Sequence, residues 1–410
     1  MLTGHNLVYF GPEKWDGLWR NRHQLMSVFA QRNRVLYVEP RTYLRSALCH
    51  WVRGSFWIEL DQPRVTRMQG NLYVYHPPTF LPISGRSPLR EILNFADNRM
   101  LYQTIKRLGM QSPLVWLSRP SMVDRVGQFN EKMVIYHVVD EYSAYGDVNE
   151  TVREVIQDDE RQLLRLADLV IVVSQPLLDA KQPYNSNTHL VLNAVNYEAF
   201  TEILSRQQVQ PDDIVSIPRP IVGYSGLISR RLDLPLLIQL AKAHPEWSLV
   251  FVGAVTAATG SDPKFKHLKA LPNVFFLGPK PVTSVPLYVA AFDVGLIPYS
   301  MAEEARHTSP LKLYDYLACG KPVVSVDIPA VRLYANLIHI VSAPSQFAAA
   351  IERALTEPQD DYVVQRKAVA AENTWTQRAE QISQLICLTC DLANEHGRAN
   401  PVRREHSERF

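Results

Sequence analysis

Short, nearly continuous apolar runs rich in β-branched residues recur along this chain. The first series is LVYF (7–10), VLYVEP (35–40), NLYVYHPP (71–78), PLVWLS (113–118), MVIYHVVD (133–140), LVIVVS (169–174) and HLVLNA (189–194). A second series follows: IVGYSG (221–226), LVFVG (249–253), VFFLG (274–278), VGLIPY (294–299), PVVSV (322–326) and HIVSA (339–343). Runs of this length, apolar at successive positions, are how strands buried on both faces of a parallel sheet read. Amphipathic helical patterns lie between them, at Arg22–Gln31, Arg90–Leu108, Glu150–Leu166, Leu234–Ala243, Ser284–Ala291 and Pro310–Leu317. Such alternation predicts an α/β fold of doubly wound, Rossmann-like sheets. It pauses once, over the polar stretch Tyr197–Arg219, which ends in Ile217-Pro218-Arg219-Pro220 and reads as a linker. The pattern therefore predicts a first domain over 1–196, a linker over 197–218 and a second domain over 219–375. A C-terminal helix over 376–396 and a disordered tail over 397–410 complete it.

The composition, 410 residues with 46% hydrophobic and 20% charged, is that of a globular protein with large cores. No repeat of 20–50 residues is present, which excludes solenoids and propellers. A formal charge of +2 gives no global nucleic-acid signature. The charge is unevenly placed, however. Residues 1–110 carry 15 Lys+Arg against 7 Asp+Glu, net +8, and the remainder carries 28 against 34, net −6. That asymmetry points to a basic face toward anionic lipid or a phosphorylated ligand. Cys49, Cys319, Cys387 and Cys390 are too few for a disulfide framework, and the lone C-x-x-C lacks two further zinc ligands. The N-terminus does not read as a signal peptide and no window approaches a membrane span, so the expected location is cytoplasmic.

Two doubly wound domains facing each other would place the carboxyl ends of both sheets at one cleft, where ligands bind. No G-x-G-x-x-G follows a strand and no P-loop is present, which counts against a dinucleotide enzyme and a P-loop NTPase. The most informative stretch is Glu303–Pro329. Thr308 or Ser309 can cap a helix with Pro310 at its first position, leaving free amides and positive dipole for an anion such as a pyrophosphate. Lys312 on the first turn adds charge, and Asp315 can reach ribose hydroxyls. Leu313, Tyr316 and Leu317 form the buried stripe, and Gly320 closes the helix. The same residues also make a merely well-capped helix, and spacing does not separate the two. In the first domain Gly17 allows close backbone approach, while Arg20, Arg22 and His23 can meet phosphate or acceptor. His137, Asp140 and Glu141 end a buried strand, a position that suits acceptor contact and acid–base chemistry. Asp293 reads as structural.

At this point the chain resembles the GT-B glycosyltransferases of the family 4 type, and within them the teichuronic-acid and polysaccharide glycosyltransferases. The resemblance rests on WDGLWRNRHQLM (15–26), VIYHVVDEYSAY (134–145), ADLVIVVSQPL (167–177), VLNAVNYEAF (191–200) and GYSGLISRRLDLPLL (223–237). PEWSLVFVG (245–253), LPNVFFLGPKPVTSVPLYVAAFDVGLIPY (271–299), SPLKLYDYLACGKPVVS (309–325) and ENTWTQRAEQI (372–382) continue it. It implies the GT-B architecture, two Rossmann-like domains facing across a cleft with the C-terminal helix returning to the first. A nucleotide-diphosphate sugar would be held by the second domain and an acceptor by the first. Donor-binding residues would be Gly226, Arg230, Arg231, Ser309, Pro310, Leu311, Lys312 and Asp315. Asp315 matches the second acidic residue of the family's E-x7-E motif, whereas the first falls on His307, a departure. His307 then becomes a candidate general base or a hydrogen-bond partner of the donor sugar, and Asp140 the first-domain group nearest the reacting centre. Leu227 stands where the family has Arg, leaving Arg230 and Arg231 to face the diphosphate. Gly17, Arg20, His23, His137 and Glu141 fall on the acceptor or phosphate side.

The activity implied is transfer of a hexose to a cell-surface glycan or lipid-linked acceptor, retaining and metal-independent. No cofactor is expected beyond the donor, and no metal motif is present. A peripheral contact with anionic membrane at its inner face is expected, and no nucleic-acid partner. Two other readings stand beside it: a nucleotide-sugar epimerase on the same fold, and a non-catalytic nucleotide-sugar-binding partner, the latter motivated by His307.

Overall fold

The computed structural model describes residues 1–17, 19–43, 63–83, 88–145, 149–206, 210–301 and 303–395. They divide into two units: 1–173 with 177–191 and 378–410, and 174–176 with 192–377. The predicted tail 397–410 and Cys49 lie outside the described residues.

The first unit is built on a sheet of β1 (Asn6–Phe10), β2 (Arg34–Val38), β3 (Val65–Arg67), β4 (Leu72–Tyr75), β5 (Leu114–Leu117), β6 (Met133–Val138), β7 (Leu169–Val172) and β8 (Thr188–Leu190). Its order is β3-β4-β2-β1-β5-β6-β7-β8, parallel except for β3 on β4. Helices α1 (Asn21–Ala30), α2 (Leu89–Arg107) and α3 (Glu150–Leu166) are among its crossovers. The continuous apolar runs follow from the burial of β5, β6 and β7 at every position. On α2, Leu101 and Ile105 face this core. The start of α3 is capped by Asn149, whose side chain accepts the Val152 amide at 2.9 Å.

In the second unit the stretch read as a linker is folded, a correction. Asn196 caps α4 (Tyr197–Ser205), and Asp212–Val215 forms a further turn of helix. Phe200, Ile214 and Ile217 enter the unit's core, so the polar average of this stretch comes from its outer face alone. The sheet that follows is β9 (Ile221–Ser225), β10 (Ser248–Val252), β11 (Val274–Gly278), β12 (Val294–Ile297), β13 (Val323–Val326) and β14 (His339–Val341). All its pairings are parallel, in the order β11-β10-β9-β12-β13-β14. Helices α5 (Leu234–Ala243) and α6 (Leu311–Ala318) are among those that flank it. The last helix, α7 (Trp375–Glu395), starts in the second unit and continues in the first. No helix among the described residues is long and apolar enough to cross a membrane.

Candidate functional site

In the second sheet the strand order reverses between β9 and β12, and ligands of doubly wound sheets bind beyond the carboxyl ends of the strands at such a point. Three pieces of chain meet there: the Gly226 loop after β9, Tyr299 after β12, and the first turn of α6. Tyr316 on α6 fixes the helix to both strands, accepting the Ser225 amide at 3.0 Å and donating to the Leu296 carbonyl at 3.2 Å.

Lys312 is the central group. It is only 8% exposed, and its Nζ donates to the Tyr299 hydroxyl at 2.6 Å. The same ammonium lies 4.7 Å and 4.9 Å from the ring centroids of Tyr224 and Tyr299. Burial works against the charge, but the phenol oxygens of Tyr224 and Tyr299 outweigh it and raise the pKa above its ordinary value. Lys312 is therefore cationic at neutral pH, and among the described residues it forms no ion pair with a carboxylate. Gly226, at φ +133°, is where this side chain approaches the backbone: a Cβ there would lie 3.3 Å from Lys312 Cε. Gly253, at φ +150°, closes the loop from the other side, since its Cβ would fall 1.9 Å from the Gly226 carbonyl oxygen.

The helix start differs from the expectation. Pro310 is itself the cap residue, at ψ 116°, later than the expected Thr308 or Ser309, and makes no side-chain cap hydrogen bond. The carbonyls of this loop are held instead: Asn193 Nδ2 donates to Ser309 at 2.7 Å and Ser174 Oγ to His307 at 2.8 Å. The first turn, Leu311 and Lys312, directs its amides toward this end of the helix, where an anion is favoured. At the other end, the Gly320 and Lys321 amides donate to Leu317 and Tyr316 at 2.8 Å and 2.9 Å, closing the helix as expected. Asp315 is half-buried one turn further on, and its carboxyl has no hydrogen-bond or ion-pair partner among the described residues. Burial raises its pKa to about 7, with Lys312 pulling the other way. Arg230 is exposed and Arg231 half-buried on the loop that continues from Gly226, and the Arg231 carbonyl accepts the Ser300 amide at 2.7 Å. His307 is half-buried in the loop before α6.

The first unit gathers a second polar cluster at the carboxyl end of β1. Arg22 Nη2 meets Glu13 at 2.9 Å and Arg20 Nε meets it at 3.3 Å. His23 is fully buried, 4.9 Å from the Trp15 ring and 5.6 Å from that of Trp19, and its Nδ1 accepts the Arg20 amide at 3.0 Å. Burial, with the nearby Arg22 charge, lowers His23 to about 4 and His137 to about 3. Both imidazoles are neutral at pH 7, and among the described residues neither Nε2 of His23 nor Nδ1 of His137 has a hydrogen-bond partner. His23 is thus packed into the unit and offers no open contact to a ligand, unlike Arg20. Gly17 makes a turn to the Lys14 carbonyl at 3.2 Å. Asp140 Oδ2 accepts from Tyr145 at 3.0 Å. Glu141 belongs to a buried network in which Lys181 Nζ lies 2.6 Å from it and 2.7 Å from Glu160, whose other oxygen accepts from Tyr136 at 2.9 Å. Asp293 holds the Ile221 amide at 2.6 Å and pairs with Arg219, a structural role. Tyr224, Tyr299, Glu13 and Lys181 were not singled out by sequence. For the two tyrosines the available signal was their place at the carboxyl ends of β9 and β12.

Residues 220–357 match the family model described as Glycosyl transferases group 1. The chain is 29% identical over 284 residues to TuaH of Bacillus subtilis (strain 168), a glycosyltransferase named for teichuronic acid biosynthesis, covering 65% of this chain and 70% of that one. Among solved structures it is similar to a sucrose-phosphate synthase from Thermosynechococcus elongatus (TM-score 0.67, 17% identity, 94% of this chain and 98% of that one). It is also similar to Anabaena HepE in complex with UDP and glucose (TM-score 0.66, 15% identity, 93% and 100%). A UDP-forming α,α-trehalose-phosphate synthase from Burkholderia vietnamiensis gives a TM-score of 0.66 at 10% identity, covering 95% and 100%. The epimerase and the non-catalytic binder gain no support from these matches.

Proposed function

We propose that this chain, a glycosyltransferase by its matched domain, moves a hexose from a nucleotide-diphosphate sugar to a cell-surface glycan or lipid-linked acceptor. The observation that carries this is Lys312, a buried ammonium at the strand-order reversal that pairs with no carboxylate among the described residues. One turn away, the Asp315 carboxyl has no hydrogen-bond or ion-pair partner among them either. A buried charge without a counterion is costly, and a diphosphate supplies the missing partner.

In this reading the diphosphate lies against the first turn of α6 and the Gly226 loop, with Arg230 and Arg231 toward its outer oxygens. Asp315, as carboxylate, accepts from the ribose hydroxyls. UDP is the first nucleotide to test, because the HepE structures hold it. As the bond between the sugar's anomeric carbon and the phosphate oxygen breaks, negative charge grows on the leaving diphosphate. Lys312 and the α6 amides are already oriented to receive it. The charge at the phosphates then comes from the protein, with no metal required in this scheme, and the anomeric configuration is retained. His307 donates to the donor sugar, and Asp140 takes the proton of the acceptor hydroxyl. The acceptor is held by the first unit, and the protein works at the inner face of an anionic membrane.

The test is a thermal-shift and calorimetric screen of UDP, GDP and ADP with their sugars, since a ligand bound only by the folded protein raises its melting temperature. A shift with one diphosphate and none with its nucleoside supports the assignment. Nucleoside and diphosphate acting alike would move the phosphates away from Lys312.

A further inference from the structure

Helix α2 is apolar on two faces. With 3.6 residues per turn, Asp97, Asn98, Leu101 and Ile105 share the buried face. Leu89, Ile92 and Phe95 share the opposite arc, where they are 43%, 62% and 60% exposed. Arg99 and Lys106 continue that outer arc along the helix, and the Lys106 ammonium lies 4.5 Å over the Tyr102 ring.

The patch extends beyond the helix. Arg41 ties three segments together, donating to the carbonyls of Leu81 at 2.8 Å and Pro82 at 2.6 Å and to Asn94 Oδ1 on α2 at 2.7 Å. On the segments so tied, Tyr43 is 65% exposed and Phe80 37% exposed, with Arg64 lying 5.6 Å over the Phe80 ring. Exposed aromatic and aliphatic side chains interleaved with guanidinium and ammonium groups form a surface with two chemical demands. It requires an apolar medium a few ångströms deep and negative charge just above it. The headgroup region of an anionic bilayer meets both. A protein partner would need a matching acidic rim around an apolar centre, whereas the net charge of +8 over residues 1–110 favours an extended anionic surface over one local counterpart.

We propose that the outer face of α2, with Tyr43 and Phe80, is the surface by which this protein docks on anionic membrane. It deepens the peripheral-membrane reading above but does not depend on the nucleotide site, so the two can fail separately.

The experiment uses the full chain and sucrose-loaded vesicles of phosphatidylcholine, with or without 30% phosphatidylglycerol. Sedimentation should show binding to the anionic vesicles at least tenfold tighter than to the neutral ones, weakening in 0.5 M NaCl. Ile92→Ser with Phe95→Ser, and separately Arg99→Glu with Lys106→Glu, should each lower anionic binding at least tenfold. Both variants should keep wild-type melting and nucleotide affinity, because the four side chains lie on the outer arc. As a second readout, Phe95→Trp should show a blue-shifted emission on anionic vesicles that brominated lipid quenches. Equal binding to both vesicle types, binding to neither, or variants that sediment like the wild type would overturn the proposal. So would a dimer in solution that the serine variant disperses, which would make this face a contact between copies.

Discussion

Replacing Lys312 by Met tests the donor site at its most loaded point. The substitution keeps the length of the side chain between the Tyr224 and Tyr299 rings, where a thioether is well tolerated, and removes only the ammonium. A charge-assisted hydrogen bond in a shielded site contributes about 1.5–3 kcal/mol. Lys312 is buried against neutral phenols and, among the described residues, pairs with no carboxylate, so its charge is available to a ligand. We therefore expect UDP affinity to fall by about 2 kcal/mol, roughly 30-fold in Kd. Uridine, which carries no phosphate, should bind both proteins alike. Isothermal titration of UDP and uridine against each protein reads this directly, with circular dichroism confirming that the variant is folded. A folded variant that binds UDP within threefold of wild type refutes the reasoning, as does an equal loss for uridine and UDP.

Three further outcomes follow from the described contacts. The Asp315 carboxyl, raised to about 7, should bind uridine about tenfold better at pH 8 than at pH 6, and Asp315→Asn should flatten that profile in the same titration. Because that pKa stands above its unfolded value, the stability it contributes is full below about pH 4 and is lost as pH rises through about 7. Urea unfolding should show Asp315→Asn gaining on wild type across that window. Lys181→Met leaves Glu141 and Glu160 buried without their cation and should cost roughly 3–5 kcal/mol in urea unfolding. The deficit should shrink at lower pH, where Glu160, pushed up by burial, takes a proton. Gly253→Ala places a methyl against the Gly226 carbonyl at a left-handed φ and should cost at least about 2 kcal/mol and weaken UDP as well; unchanged melting would show that the loop shifts freely.

Where the amino-acid pattern was legible, the reason is burial. Strands such as Met133–Val138 and Ser248–Val252 are enclosed on both faces, so each position had to be apolar or small and the run announces itself. Val65–Arg67 was not legible, being a three-residue antiparallel edge strand with exposure along it. The helix 197–205 escaped because only Phe200 is fully buried while Tyr197 and Leu204 pack partly exposed, and polar residues alternate with them. The resemblance to GT-B glycosyltransferases agrees with the matched domain and the neighbouring folds. Within the donor site, Lys312 and Asp315 could be picked out because they share a short helix. Their environment could not, because Tyr224 and Tyr299 arrive from strands some 90 and 13 residues upstream of that lysine. The cap was misread for a local reason: Pro310 has an extended ψ and so starts the helix one residue later than the spacing suggests.

The first unit is not made from one stretch of chain. Ala379, Ile382 and Ile386 of α7 are buried, the Met1 ammonium pairs with Glu380, and Asn187 Nδ2 donates to Thr389 at 3.1 Å. During synthesis on the ribosome the eight strands of that unit emerge first, yet the helix that finishes its flank is translated last of its parts. The whole second unit has to leave the exit tunnel in between. The strands of the first unit must therefore wait for their last helix until the second unit has been made.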